Sequence, residues 1–155
     1  MKCLIIEDQA PARRLLQKYI ADSGKLELIE CFSSGNDALE FLRSATVDLI
    51  FLDIHLPTMS GLDFLRALDN PPATILTTAF SEYALDGYEL DIVDYLLKPF
   101  SFERFQIAID KVEARISYEN SDKTIEDDSF FIKSGHEYIS INRSEILYIH
   151  SDLDY

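Results

Sequence analysis

The chain has 155 residues, of which 47% are hydrophobic, and it carries a formal net charge of −14. This length allows one ordinary domain, or one domain with part of a second, and the hydrophobic content allows a substantial core. The acidic excess argues against direct binding to nucleic acid or to an anionic membrane, because both kinds of partner need a basic surface.

The cysteines and the apolar runs predict a reduced, cytoplasmic protein. Cys3 and Cys31 lie in apolar strand-like runs and are expected to be buried, free thiols. They have neither the pattern of a disulfide framework nor the spacing of metal ligands. The first acidic residues follow only four apolar residues, too soon for a signal peptide, and no run approaches the roughly 18 residues of a membrane span.

Five short apolar runs alternate with amphipathic stretches over about the first 117 residues. The runs predict strands at residues 2–6, 26–32, 48–53, 73–78 and 92–97. Amphipathic helices follow, with Pro11 near the start of the first helix and with Ser60 and Ser101 as N-caps of the third and last helices. The helix at residues 82–89 is the least well specified, because Gly87 interrupts it.

This alternation predicts an α/β fold with a doubly wound, five-stranded parallel sheet. The expected strand order is the flavodoxin-like 2-1-3-4-5, which makes the first and third strands neighbours. The run at residues 48–53 is short and apolar, as in a strand that is covered on both faces. It ends at Asp53, so this carboxylate is expected at the carboxyl edge of the sheet, where ligands bind in open α/β folds.

The pattern changes after residues 1–117. Residues 118–129 are polar and acidic and are predicted to be a linker. Residues 130–155 carry a hairpin pattern around Ser134-Gly135 and a further strand signal at 146–149, without a helix. This β-rich fragment is too short to bury a core of its own, so we expect the start of a second domain that has been cut off.

Polar side chains follow four of the predicted strands at their carboxyl ends. Glu7 and Asp8 follow the first strand, Asp53 ends the third, Thr78 ends the fourth and Lys98 follows the fifth. Three neighbouring carboxylates need positive charge, which Lys98 and a Mg²⁺ ion with oxygen ligands can supply. A carboxylate nucleophile, a metal, a lysine and a hydroxyl are together the parts of a site for phosphoryl transfer.

Each of these residues alone also has a purely structural interpretation. Glu7 and Asp8 can cap the first helix, and Asp53 can simply end a strand. Threonine is common in strands, so Thr78 carries little information by itself, and the same holds for Lys98 before a proline. Only their joint placement at one edge of the sheet indicates a site.

Over residues 1–117 the chain resembles the receiver domains of response regulators in two-component signalling. The matching positions are Glu7-Asp8 for the acidic pair, Asp53 for the phosphoacceptor, the loop through Pro57 and Gly61, Thr78 for the switch hydroxyl, Tyr95 for the aromatic switch, and Lys98-Pro99 for the lysine and its neighbour. The resemblance implies that Asp53 accepts a phosphoryl group from the phosphohistidine of a sensor histidine kinase, with Lys98 and Thr78 assisting.

The same resemblance implies a ligand set for Mg²⁺. Asp8, Asp53 and the backbone carbonyl of His55 would bind the ion, and Glu7 would act mainly through water. His55 and Phe80 flank the expected phosphorylation pocket, where they influence the lifetime of the phosphoryl group.

The resemblance also implies a switch and an output. Thr78 would move toward the phosphoryl oxygens while Tyr95 turns inward, which changes the face formed by residues 82–89, the fifth strand and the last helix. The last helix can then mediate a homodimer. Residues 130–155 are similar to the opening of a LytTR-type DNA-binding domain, as in regulators of the LytR/AlgR class, so DNA binding and transcription regulation are expected only of the full-length protein.

Two other functions stay open from the residues. One is a Mg²⁺-dependent phosphatase of the haloacid-dehalogenase type, which also has an aspartate nucleophile at a strand end but requires a second aspartate two residues later, where this chain has His55. The other is a pseudo-receiver that binds partners without phosphorylation. It is disfavoured because the acidic residues (Glu7, Asp8 and Asp53) and Lys98 are all present.

Overall fold

The computed structural model describes residues 1–79, 91–124, 129–134 and 137–142. The chain divides into two compact units, Met1–Ile116 and Ser117–Tyr155. The predicted helix at residues 82–89, Phe80 and the predicted strand at 146–149 lie outside the described residues. No helix in the described part of the chain has the length and the apolar character needed to cross a bilayer.

The first unit is built on a five-stranded sheet. Its elements are β1 (Lys2–Ile6), α1 (Ala10–Ser23), β2 (Glu27–Phe32), α2 (Gly35–Leu42), β3 (Leu49–Asp53), α3 (Gly61–Arg66), β4 (Ala73–Thr78), β5 (Asp94–Leu97) and the part of α4 (Phe102–Thr124) up to Ile116. All neighbouring strands are parallel and their order is β2-β1-β3-β4-β5. The predicted doubly wound sheet and its strand order are confirmed.

The central strand β3 is buried along its whole length, and its side chains alternate between two core clusters. Phe51 belongs to one cluster, where its ring stacks on Phe105 of α4 at 5.4 Å between centroids. Ile50 and Leu52 belong to the other cluster, with Phe64 of α3. Helices therefore cover both faces of β3, as its uninterrupted apolar sequence predicts.

The N-caps predicted at Ser60 and Ser101 are confirmed, whereas Ser34 precedes α2 without a capping bond from its side chain. The Ser60 hydroxyl accepts a hydrogen bond from the Asp63 backbone N–H at 3.0 Å, and the Ser101 hydroxyl accepts one from the Arg104 N–H at 3.1 Å. Helix α1 has Pro11 in its first turn and is followed by Gly24, whose φ of 63° lies in the left-handed region that favours glycine.

Two expectations differ from the structure. Helix α4 continues through Thr124, so residues 118–124 of the predicted linker are helical. No glycine or proline occurs between Ser101 and Thr124, and a polar, charged composition is compatible with a helix as well as with a linker. Cys31 is partly exposed rather than buried, because β2 is an edge strand, whereas Cys3 is fully buried.

The second unit contains an antiparallel pair of strands. β6 (Ser129–Ser134) pairs with β7 (Glu137–Asn142) from the Ser129–Asn142 pair to the Ser134–Glu137 pair. This pairing confirms the hairpin predicted around Ser134-Gly135.

Candidate functional site

The carboxyl ends of β1, β3 and β5 bring a cluster of charged side chains together. Carboxylate oxygens of Glu7, Asp8 and Asp53 lie within 4.8 Å of one another. The Lys98 Nζ lies 2.6 Å from Glu7 Oε2 and 2.8 Å from Asp53 Oδ2. We call these four residues the acidic cluster. They are four of the predicted site residues, and the register of the parallel sheet places them side by side.

Asp53 is held by the backbone around it. Its side chain is only 2% exposed, and its Oδ1 accepts a hydrogen bond from the His55 N–H at 3.0 Å. The loop after β3 folds back over the strand, with the Gly61 N–H donating to the Ile54 carbonyl at 2.8 Å. A Cβ on Gly61 would lie 2.4 Å from the Asp53 carbonyl oxygen, so only glycine permits this close approach.

Glu7 is fully buried and all its polar groups have partners. Its N–H donates to the Phe32 carbonyl at 2.9 Å, and its carboxylate accepts from the Gln9 N–H at 3.2 Å and from Lys98. Burial raises the pKa of Glu7 to about 7; the negative charge of Asp53 adds to this effect and Lys98 opposes it. The acidic cluster is therefore short of positive charge even with Lys98 present.

Asp8 provides the strongest indication that the acidic cluster suits a cation. Its carboxylate oxygen Oδ1 is buried and has no hydrogen-bond partner among the described residues. A buried, unpaired carboxylate oxygen is costly, and a bound cation would compensate for it. Three oxygen donors, one of them unpaired, fit a hard divalent ion such as Mg²⁺, which prefers a few carboxylates and completes its shell with water or phosphate oxygens.

The predicted switch residues flank this cluster. Thr78 is buried at the end of β4, and its carbonyl accepts a hydrogen bond from the Lys98 N–H at 2.7 Å. Tyr95 is partly buried against the core cluster that contains Ile50. Its carbonyl accepts a hydrogen bond from Arg104 of α4 at 2.7 Å. Thus β4, β5 and α4 are joined directly beside the acidic cluster.

An open cleft of about 400 Å³ leads to Asp53. Asp53, Lys98 and His55, whose side chain is exposed, line its polar part. Its remaining lining is mostly apolar and comes from the start of α1 and the ends of β4 and β5: Gln9, Pro11, Ala12, Leu15, Ala79, Pro99 and Phe100. The cleft gives a reactant access to Asp53, whereas Glu7 does not line it and is fully buried.

One residue beside the site was not predicted. Arg13 of α1 donates hydrogen bonds from Nη1 to the Glu7 carbonyl at 2.6 Å and to the Asp8 carbonyl at 2.8 Å. Its position three residues before Leu16 and seven before Ile20, both buried, places it on the inner face of the helix. A charged residue on that face is the signal in the sequence that identifies it.

The sheet order and the acidic cluster together define the receiver class of signalling domains. The family described as "Response regulator receiver domain" matches residues 3–110, and the chain belongs to this family.

Within that family the chain is similar to sensory transduction proteins. It is 38% identical over 123 residues to "Sensory transduction protein LytR" of Staphylococcus haemolyticus, covering 77% of this chain and 48% of that protein. It is 30% identical over 160 residues to "Sensory transduction protein LytT" of Bacillus cereus, covering 96% and 65%. It is 32% identical over 127 residues to "Transcriptional regulatory protein YpdB" of Escherichia coli, covering 80% and 52%. The chain thus spans about half to two-thirds of the length of these relatives.

Solved structures agree with this assignment. The response regulatory domain of protein mrkE from Klebsiella pneumoniae has a TM-score of 0.69 at 32% identity, covering 74% of this chain and 97% of that one. Response regulator protein TrrA from Thermotoga maritima, in complex with Mg²⁺-BeF, has a TM-score of 0.62 at 28% identity, covering 72% and 97%.

Proposed function

We propose that this receiver accepts a phosphoryl group on Asp53 from the phosphohistidine of a sensor histidine kinase, in a reaction that depends on Mg²⁺. The observation that carries the proposal is the state of Asp53, which is buried, fixed through both carboxylate oxygens, and yet lines an open cleft. In the transfer, a carboxylate oxygen bonds to phosphorus. The phosphorus–nitrogen bond of the phosphohistidine breaks, and its electron pair stays on the imidazole.

The ion would be held by Asp8, Asp53 and the backbone carbonyl of His55, with Glu7 acting mainly through water. When bound, the ion supplies positive charge that neutralises the phosphoryl oxygens during transfer. The unpaired Asp8 oxygen and the raised pKa of Glu7 support this arrangement, because both identify a cluster that lacks positive charge.

Lys98 and Thr78 act on the transferred group. Lys98 keeps the Asp53 carboxylate oriented in the resting protein, and its ammonium group then stabilises the charge of the new acyl phosphate. The Thr78 hydroxyl donates to a phosphoryl oxygen. The apolar lining of the cleft limits water around the reacting group. His55, which lines the cleft, and Phe80, which follows Ala79 in the sequence, influence how long the acyl phosphate lasts.

The output of the switch passes through β5 and α4, together with residues 82–89. Arg104 supports this route, because it pairs with both Asp94 oxygens at 2.8 and 2.9 Å as well as with the Tyr95 carbonyl. Leu97 of β5 and Ile107 of α4 are large exposed apolar side chains, which supports a homodimer through these elements.

In the full-length protein, we propose that the phosphorylated receiver (residues 1–117) controls transcription in the cytoplasm through a LytTR-type DNA-binding domain that begins near residue 130. The antiparallel β6–β7 hairpin supports this layout, and so does the similarity to proteins named LytR, LytT and YpdB.

Labelling with acetyl phosphate tests the first step. We expect the intact mass to increase by one phosphoryl group only when Mg²⁺ is present, and peptide mapping to place the group on Asp53. Asp53→Asn should abolish the labelling. Asp48→Asn is a matched control, because Asp48 directly precedes β3 at its opposite end and is exposed. Labelling that survives Asp53→Asn unchanged, or that does not require Mg²⁺, would refute the proposal.

A further inference from the structure

Arg13 contacts the backbone of the loop between β1 and α1, whereas Lys98 contacts the Glu7 side chain. A single guanidinium nitrogen bridges two consecutive backbone carbonyls, those of Glu7 and Asp8, at 2.6 and 2.8 Å. Hydrogen bonds from a charged donor are stronger than neutral ones, so this bridge restrains the loop firmly. Arg13 itself is fixed in the first turn of the helix, where its N–H donates to the Gln9 carbonyl at 3.0 Å.

The two acidic residues of the loop depend on this bridge to different degrees. Glu7 has three further hydrogen bonds, to Phe32, Gln9 and Lys98. For Asp8, the bond from Arg13 to its carbonyl is the one hydrogen bond found among the described residues, and one of its carboxylate oxygens is buried without a partner. Within the described structure, the bond from Arg13 is therefore the hydrogen bond that restrains Asp8.

We propose that Arg13 is a positioning residue that holds the Asp8 carboxylate in place for a divalent cation. The proposal rests on the proposed function, because it concerns the Mg²⁺ site of that reaction. Residues that orient metal ligands from behind commonly contribute to affinity without touching the ion. Arg13 would therefore lower the Mg²⁺ concentration that the site requires.

Positioning and simple electrostatics predict opposite effects when Arg13 is removed. A positive charge near the cation site repels Mg²⁺, so loss of that charge alone should strengthen binding. Loss of the bridge should weaken binding, because Asp8 can then move to a position where both its oxygens contact solvent. The sign of the change in affinity therefore separates the two explanations.

The test is isothermal titration of the 155-residue chain with Mg²⁺. We expect Arg13→Gln to weaken Mg²⁺ binding roughly tenfold or more. Arg14→Gln is the matched control: it removes the same charge from the next position of the helix, where the side chain is exposed, and should leave the affinity equal or slightly higher. Arg13→Lys keeps the charge but has a shorter reach, so its affinity should also fall, by less.

Kinetics of labelling by acetyl phosphate give a second readout. For Arg13→Gln we expect the Mg²⁺ concentration at half-maximal rate to rise roughly tenfold while the maximal rate at saturating Mg²⁺ recovers. A merely structural role would reduce the labelled fraction and the melting temperature in EDTA but would leave the Mg²⁺ midpoint unchanged.

The outcomes distinguish this proposal from the proposed function. If the wild-type chain binds Mg²⁺ and is labelled on Asp53, but the Arg13 variants bind Mg²⁺ as tightly as wild type or more tightly, the positioning role is wrong and the proposed function stands. If the wild-type chain binds no Mg²⁺, the proposed function fails and the role of Arg13 fails with it.

Discussion

Two lysines of this protein, Lys98 and Lys25, each contact two carboxylates. The carboxylates around Lys98 are buried (the buried cluster), and those around Lys25 are exposed (the exposed cluster). The Lys98 Nζ lies 2.6 and 2.8 Å from oxygens of Glu7 and Asp53, whose side chains are 0% and 2% exposed. The Lys25 Nζ lies 2.8 Å from oxygens of Asp110 and Glu113 on α4, whose side chains are 64% and 40% exposed. The chemistry is the same, and only the contact with solvent differs.

The pKa values of the two clusters show the consequence of burial. At the exposed cluster the carboxylates raise the pKa of Lys25, as expected for favourable ion pairs in water. At the buried cluster the pKa of Glu7 is raised to about 7 in spite of its contact with Lys98, because desolvation outweighs the ion pair. In the exposed cluster, the lysine and water compensate the charges of the carboxylates. In the buried cluster, the carboxylates still attract further positive charge.

Removal of each lysine should give the largest difference between the two clusters. Lys98→Met leaves two buried carboxylates without a counter-charge, so we expect the free energy of unfolding near neutral pH to fall by about 3 kcal/mol and Asp53 labelling to be nearly lost. Lys25→Met, the matched control, should change stability little and labelling not at all, because exposed pairs are weak. Urea denaturation in EDTA, followed by circular dichroism, measures the free energy of unfolding of both variants. Equal losses of unfolding free energy in the two variants would show that burial does not cause the difference between the clusters.

Substitution of two tightly packed glycines, Gly61 and Gly35, tests whether close backbone packing determines the position of Asp53 in the buried cluster. Gly61→Ala should destabilise by about 2 kcal/mol and slow labelling, because its Cβ would strike the rigid Asp53 backbone. Gly35→Ala is the control: its Cβ would meet the flexible Met59 side chain at 2.7 Å from Sδ, and that side chain can move away. Thermal unfolding and labelling rates compare the two variants. A larger effect at Gly35 would contradict the importance of the Gly61 contact.

The smallest expected effect is a pH dependence that only the buried cluster should have. The pKa of Glu7 is 4.5 ordinarily and about 7 in the folded protein, so the folded state binds more protons between these values. Stability of the metal-free protein should therefore fall as the pH rises through this window, by roughly 1 kcal/mol between about pH 6 and about pH 8.

Comparison with Glu7→Gln isolates this contribution from those of other titrating groups. Asp53 and Lys98, which contact Glu7, are unchanged in that variant. Urea denaturation in EDTA at both pH values gives the difference, and the same pH dependence in wild type and variant would show that Glu7 is not its source.

The fold and the members of the acidic cluster were predictable because both depend on regular patterns. Apolar runs such as residues 48–53 fixed the strands, and parallel strands necessarily end at one edge, which brings Asp53 and Lys98 together. The bridge from Arg13 depends on the rotation of α1 against the sheet and on a side-chain rotamer, neither of which follows from strand order. Likewise, the extension of α4 to Thr124 was missed because polar composition does not separate an exposed helix from a linker.

The acidic cluster also joins residues that are far apart along the chain. Glu7 and Lys98 are separated by 91 residues, and Asp53 and Lys98 by 45. During synthesis the carboxylates therefore leave the ribosome well before their lysine, and the cluster cannot form until β5 joins the sheet. Contacts of such long range form late in folding. The acidic cluster is thus complete only after β1, β3 and β5 have all been made and have joined the sheet.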